Sequence, residues 1–269
     1  MSDGRVFDLP VLAASRWMFN CYAIVGDDGA VVLVDAGLPS SAQGALDGLR
    51  RLGRVPEDVS AVLATHGHSD HVGGMATVLE RTPAGALLPE RCRDYLAGET
   101  PRNFGFDSNV RFLPMMGQQR FSLRATRELA RAGATVGYGR RKEFALPFEP
   151  TGFLADGDSV PGAPGWVVRA TPGHTDDSIS LYHAGSATLI SGDEVLTHDG
   201  RAWFNSEWVD RGAHDATEER LRSLDVRHLL PGHGLPVEGD VWGRARSAGQ
   251  CPPGKGLLTR CARRFGRWD

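Results

Sequence analysis

Seven residues, Thr65-His66-Gly67-His68-Ser69-Asp70-His71, carry three histidines and one carboxylate directly behind the apolar run from Val59 to Ala64. Imidazole nitrogens and a carboxylate at this density suit zinc, iron or manganese, whereas calcium asks for mostly oxygen donors. No regular helix puts His66, His68, Asp70 and His71 on one face, so the four need a loop folded back over a strand end. Three other turns each present a polar residue beside glycine after an apolar run. They hold His174 (Pro172-Gly173-His174), Asp193 (Ser191-Gly192-Asp193) and His233 (Pro231-Gly232-His233). Glycine there permits tight turns and close backbone approach around a compact centre. Taken singly each turn is a weak signal; with the first cluster they point to an enzyme rather than a scaffold.

The elements that must position these residues are legible in the hydrophobic pattern. Asn20 to Val25 and Ala30 to Val34 form a hairpin pattern around Gly26-Asp27-Asp28-Gly29. Ser40 and Ser41 predict the cap of a helix running to about Leu52. A strand then leads into His66, followed by a helical segment at 74–80 and a strand at 85–88. In the second half the pattern predicts strands at 166–170, 178–182, 187–190 and 227–230, with a helix at 213–224. Alternating strands and helices with glycines at their junctions imply a layered α/β domain.

The region from about 95 to 150 is different. Phe104, Phe106, Phe112, Leu113, Met115 and Met116 make it apolar for a loop. A helix is predicted over 118–132, with Arg120, Arg124, Arg127 and Arg131 as a basic stripe. Gly117 to Phe144 holds seven Arg or Lys against two Glu. A structured insertion is expected here, because a structureless linker of that length is rare inside a compact domain. Arg244 to Asp269 has seven basic residues and one acidic, and Pro252-Pro253 interrupts any helix, so a loosely held basic tail is expected.

With 269 residues, 41% of them hydrophobic, the chain can bury one good core. The expected organisation is one domain over 1–245, an insertion at about 95–150 and a tail over 246–269. A formal charge of -3 gives no overall field that draws nucleic acid. The first residues lack a secretory pattern and no run of about 18 apolar residues occurs, so a soluble, cytoplasmic protein without a membrane partner is expected. Cys21, Cys92, Cys251 and Cys261 are too scattered for a disulfide framework or a thiolate zinc site.

The histidine cluster and the three later turns together resemble the metallo-β-lactamase-fold hydrolases over roughly residues 5 to 240. The family's His-x-His-x-Asp-His signature is matched by His66, His68, Asp70 and His71, and its later ligands by His174, Asp193 and His233. The resemblance implies an αββα sandwich, two mixed sheets face to face with helices outside. It implies that His66, His68 and His174 hold one metal and Asp70, His71 and His233 a second, with Asp193 bridging. Asp35 matches an early carboxylate that organises the ligand loops.

Two metals about 3.5 to 4 Å apart can share a hydroxide, lower its pKa and polarise the oxygen of the bond attacked. The expectation is therefore a metal-dependent hydrolase with two divalent ions, zinc first and iron or manganese as alternatives. Catalysis is assigned to His66, His68, Asp70 and His233. Asp193 departs from the true β-lactamases of the family, which disfavours antibiotic hydrolysis. The expected substrate is a small acyl ester, thioester or lactone with an apolar or anionic portion. Leu196 stands where acyl-homoserine lactonases have tyrosine, which weakens the lactonase reading. A phosphodiesterase or nuclease, and a non-catalytic interaction protein, are the alternatives. The 95–150 insertion is expected either to cover the metals or to join two copies. Phe104, Phe106 and Phe112 would form one wall of a pocket and Trp203, Phe204 and Trp208 the other.

Overall fold

The computed structural model describes residues 7, 9, 11–13, 19–118, 122–136 and 143–269. Its first sheet runs in the order β1 (Val11–Ala13), β2 (Tyr22–Val25), β3 (Val31–Val34), β4 (Val59–Leu63), β5 (Gly85–Pro89), β6 (Gly152–Leu154). The first three strands are antiparallel, and β3 to β6 are parallel. Strands β7 (Trp166–Ala170), β8 (Ile179–His183) and β9 (Thr188–Gly192) begin the second sheet. A separate hairpin, β10 (Val195–His198) and β11 (Arg201–Phe204), follows. The sheet is completed by β12 (His228–Pro231), parallel to β9, and β13 (Val237–Glu238).

The apolar runs read as continuous because the central strands are buried on both faces. In β3, Val31 and Leu33 face one cluster while Val32 and Val34 face another. The second cluster lies between the sheets, where Val32, Val34 and Leu63 meet Val168, Leu181, Ile190 and Leu230. Each such side chain contributes roughly 1.5 to 3 kcal/mol by leaving water. On the outer face of the first sheet lie α1 (Pro39–Gly48), α2 (Ser69–Val72) and α3 (Met75–Leu79), with Ala42, Ala45, Leu46, Val72, Met75 and Val78 packed against it. The result is an αββα sandwich.

Helix α1 does not start at its serines. Leu38 is the N-cap, Pro39 occupies the first position, and the freed Ser40 N–H donates to Glu128 at 3.1 Å. Proline's fixed φ and missing N–H suit that position.

The insertion is more helical than its sequence suggests. Helix α4 (Cys92–Leu96) precedes α5 (Phe106–Met116), whose Pro114 sits in the last turn, and α6 (Leu123–Val136). The helix predicted over 118–132 therefore begins five residues later and reaches Val136, because Ala125, Ala132 and Val136 supply its buried face. Arg124, Arg127 and Arg131 are exposed, and Arg124 is paired with Glu128 at 2.8 Å. Arg120 lies outside the described residues.

Helix α7 (Arg211–Arg222) buries Leu221 over the second sheet. The tail is not loose as expected: α8 (Leu257–Phe265) packs on α5, Trp268 stacks on Trp203 at 6.3 Å, and Asp269 pairs with Arg211 at 2.7 Å. Arg111 of α5 also donates to the Gly266 carbonyl at 3.0 Å. Among the described residues no helix is long and apolar enough to cross a membrane.

Candidate metal centre

The ligand turns leave the C-terminal ends of β4, β7, β9 and β12 and converge. His66 and His68 lie just beyond β4, and Asp70 and His71 are carried by α2, whose N-cap is His68. His174 follows β7, Asp193 follows β9 and His233 follows β12. Three groups bring potential ligand atoms within 4.8 Å of one another: His66, His68 and His174; Asp70, His71 and His233; and His66, His71 and Asp193. Asp193 stands between the other two sets, with Oδ1 3.4 Å from His71 Nε2 and Oδ2 2.9 Å from His233 Nε2 and 3.6 Å from His174 Nε2. All seven residues singled out from the sequence are thus in one place.

The backbone is tailored to this approach. Gly232 N–H donates to the Gly192 carbonyl at 2.7 Å, tying two ligand turns together. A Cβ on Gly232 would lie 2.1 Å from Asp193 Oδ1, so a side chain there collides with the central carboxylate. Asn20 adds a clamp, donating to the carbonyls of Pro231 and Gly234 at 2.8 and 2.7 Å on either side of His233.

Partners of the outward ring nitrogens fix which nitrogens face inward. His71 Nδ1 donates to Asp35 Oδ2 at 2.9 Å, and His174 Nδ1 donates to the Glu207 carbonyl oxygen at 2.9 Å, with Asn205 Nδ2, which donates to the Asp193 carbonyl, also 2.9 Å from that nitrogen. Thr65 Oγ1 donates to Asp35 at 2.9 Å and so accepts from His66 Nδ1 at 3.2 Å. His66 and His174 therefore turn a bare Nε2 inward, the tautomer a metal ligand needs, and His71, held by Asp35 through Nδ1, presents its Nε2 inward as well. His68 Nδ1 faces the bare Nε2 of both His66, at 3.0 Å, and His174, at 3.3 Å. One proton on His68 cannot satisfy both neighbours, whereas a cation between the three can. His71 Nε2 and Asp193 Oδ1 are buried without a hydrogen-bond partner. Buried polar atoms left so are costly, and a divalent ion is the partner they fit.

Electrostatics divides the centre. Burial, reinforced by neighbouring imidazoles, pushes His66 and His68 well below the ordinary histidine range, and burial also lowers His174. Burial opposes charge on His71 and His233 as well, but carboxylates outweigh it. Asp193 and Asp35 hold His71 well above its usual value, and Asp193 with Asp70 raises His233 to about 9. Burial alone would raise Asp193, yet His233 and His71 hold it well below the carboxylate range. The protons on His71 and His233 thus occupy positions that positive charge favours, and a bound cation would displace them.

A cleft of about 340 Å³ opens onto this cluster. Phe19, Phe104, Phe112, Met116 and Leu129 form its apolar walls, with Asp70, Asp193, Glu207, His68, His174 and His233 at its base. Phe104 packs on His68 and His174 at 5.3 and 5.0 Å, and Phe112 on His233 at 5.8 Å. The insertion therefore walls the cleft, with two corrections to the expected lining. Phe106 points to solvent, 78% exposed, and Trp203 and Phe204 are fully buried in the core of hairpin β10–β11. Trp208 stacks under Arg111, whose guanidinium is 3.8 Å from the ring centroid, and does not line the cleft. Leu196 is also fully buried, beside Met115 and Trp203.

Several supporting residues were not singled out from the sequence. Asp177 accepts from the Gly67 N–H at 2.7 Å, fixing the turn between His66 and His68. Asn205 donates to the Asp193 carbonyl at 2.8 Å. Glu207 sits in the cleft, three residues beyond the aromatic pair Trp203-Phe204. The available signal was polar residues within or beside apolar runs, as with Asn20 before β2.

A family model described as the metallo-beta-lactamase superfamily matches residues 16–233. The chain belongs to the metallo-beta-lactamase superfamily. A family relative, the probable metallo-hydrolase YflN of Bacillus subtilis strain 168, is 27% identical over 224 residues, covering 77% of this chain and 76% of that protein. A hydroxyacylglutathione hydrolase of Xanthomonas axonopodis pv. citri strain 306 is 44% identical over 67 residues, which is 25% of this chain and 24% of that enzyme. Among solved structures, TTHA1623 in a di-iron-bound form aligns with a TM-score of 0.53 at 24% identity, over 85% of this chain and 93% of that one. The class B3 di-zinc metallo-β-lactamase LRA-12 from an Alaskan soil metagenome aligns with a TM-score of 0.55 at 18% identity, over 83% and 75%. Both share the sandwich fold, and they hold dinuclear centres of different metals.

Proposed function

We propose that this metallo-hydrolase cleaves a carboxylic ester, thioester or lactone, with two divalent ions, zinc first, held by His66, His68, Asp70, His71, His174, Asp193 and His233. When bound, such a pair supplies water activation near neutral pH and polarises the carbonyl oxygen. The observation that carries the reading is the set of converging histidine and carboxylate donors on a cleft with phenylalanine, methionine and leucine walls.

The chain's own groups have distinct tasks. Asp35, Thr65 and the Glu207 carbonyl lock the rings of His71, His66 and His174 through their outward nitrogens. Asp70, 20% exposed and with Oδ2 3.5 Å from His233 Nε2, lines the cleft, where it would hold an ion and orient the attacking water or receive its proton. His66, His68 and His233 complete the groups nearest the reacting atoms. Phe104 and Phe112 exclude water and seat an apolar acyl portion. These walls favour a carbonyl substrate over a phosphodiester, and they give no support to an anionic portion. Exposed Phe106 and Leu123 on the insertion support docking of a second copy, which light scattering of the purified protein tests.

A screen of acyl thioesters, lactones, aryl esters and bis(p-nitrophenyl) phosphate, using protein with its metal content measured, tests the reading. Turnover of the carbonyl compounds is expected. Turnover of the phosphodiester alone would overturn it.

A further inference from the structure

The base of the cleft contains a carboxyl group that the metal centre does not use. Glu207 is 9% exposed and lines the cleft, yet it belongs to none of the ligand groups. Its main chain is committed: the carbonyl accepts from His174 Nδ1 and the N–H donates to Asn205 Oδ1 at 2.9 Å. Any residue's backbone could do that. The side chain makes no hydrogen bond or ion pair with the described residues. The neighbouring cation makes no hydrogen bond to it: Arg111 donates instead to the Ser206 carbonyl, the Gly266 carbonyl and Ser108 Oγ, at 2.7, 3.0 and 2.9 Å.

A carboxyl that lines a cleft and has no hydrogen bond to the described residues is left for whatever enters to complete. Phe19, Phe104, Phe112 and Leu129 line the same cleft, with Asn103 and Asn109 among them, so a carboxyl acceptor beside the apolar walls would help fix the orientation of whatever enters. A carboxyl oxygen accepts an N–H or O–H in either ionisation state.

We propose that Glu207 is the substrate-recognition residue of the cleft, accepting a hydrogen bond from an amine or hydroxyl on the acyl group attached to the scissile carbonyl. This rests on the hydrolase reading for its choice of substrate but not for the contact itself. The preferred class is then an acyl ester or thioester with a donor a few bonds from the carbonyl, in place of a plain alkanoyl group.

Two series test this. The first is the S-phenyl thioesters of butanoic, 3-hydroxybutanoic and 3-aminobutanoic acid, read as kcat/KM. The second is the corresponding ketones with CH2 in place of sulfur, read as Kd by calorimetry, which report recognition without turnover. The expected result is a preference of about tenfold or more for at least one donor-bearing member over the butanoyl compound in both series. The hydroxy and amino arms identify which donor is used. In Glu207→Leu that ratio falls to about one, and in Glu207→Gln the hydroxyl preference survives, since the amide oxygen still accepts. Metal content per chain is measured on every preparation. Equal Kd for all three ketones in the unaltered protein, or a preference that survives in Glu207→Leu, would overturn the proposal. So would loss of metal from Glu207→Gln, which would show that the carboxyl serves the ions. A Kd preference without cleavage of any thioester would sink the hydrolase reading and uphold the recognition role.

Discussion

Asp35 Oδ2 accepts a hydrogen bond from His71 Nδ1 at 2.9 Å, while the same carboxylate takes the Thr65 N–H at 2.7 Å and the Thr65 hydroxyl at 2.9 Å. One buried group thus joins the end of β3 to the start of the histidine loop and to His71 in α2. Asp35 has φ of 55°, a left-handed conformation that asparagine and aspartate tolerate better than most residues.

Asp35→Asn keeps that backbone and the volume but replaces one acceptor oxygen with an NH2 that faces donors. Metal affinity, measured by competition with a chromogenic chelator, is expected to fall about 10- to 100-fold. Chemical denaturation should show a loss of about 1.5 to 3 kcal/mol from the disrupted charged hydrogen bonds. Unchanged metal affinity would show that Asp35 only caps a turn.

Gly232→Ala tests the close approach at the centre. The added Cβ would lie 2.1 Å from Asp193 Oδ1 and 3.0 Å from the Gly192 carbonyl, so the carboxylate or the turn must move. Displacement on the order of 1 Å is expected to reduce kcat/KM about 100-fold. Gly105→Ala, where an added Cβ meets no atom within 4 Å, is the control and should leave activity and melting temperature near those of the parent.

The proton load of the centre predicts how metal binding depends on pH. His233 is raised to about 9 and His71 well above its usual value, so both carry protons at neutral pH before metal enters. Cation binding must expel them, and apparent affinity therefore rises as pH increases from neutral towards about 9. Titration calorimetry of the metal-free protein in two buffers of different ionisation enthalpy measures the protons released. Release of none at pH 7 would contradict this charge distribution.

How much could be read from the chain beforehand varied by the physics involved. The seven candidate ligands are visible because histidine and carboxylate at strand ends beside glycine are uncommon together, and Asp35 stands at the end of a strand buried on both faces. Strand β3 was clear for the same reason, with Val31 to Val34 all buried. Helix α5 was hidden by Pro114 and by an apolar composition that reads as loop or core alike. The order of the tail is not legible in its own sequence because it depends on partners far away in the chain, Arg111, Trp203 and Arg211. Trp203 and Phe204 were misplaced since an aromatic after a ligand can face either cleft or core, and β10–β11 pairing decided for the core. Glu207 carries no signal in the sequence because a lone acidic residue reads as solvated, and its burial singles it out.

Metal content and turnover, measured together on the parent protein and on His68→Ala, probe the centre most directly. The parent should hold two divalent ions per chain, lose thioester or ester cleavage on chelation and regain it on adding metal back. His68→Ala, which removes the nitrogen shared by His66 and His174, should bind less metal and lose about 100-fold or more in kcat/KM. Full cleavage by the metal-free parent, or by His68→Ala, would contradict a two-metal hydrolase.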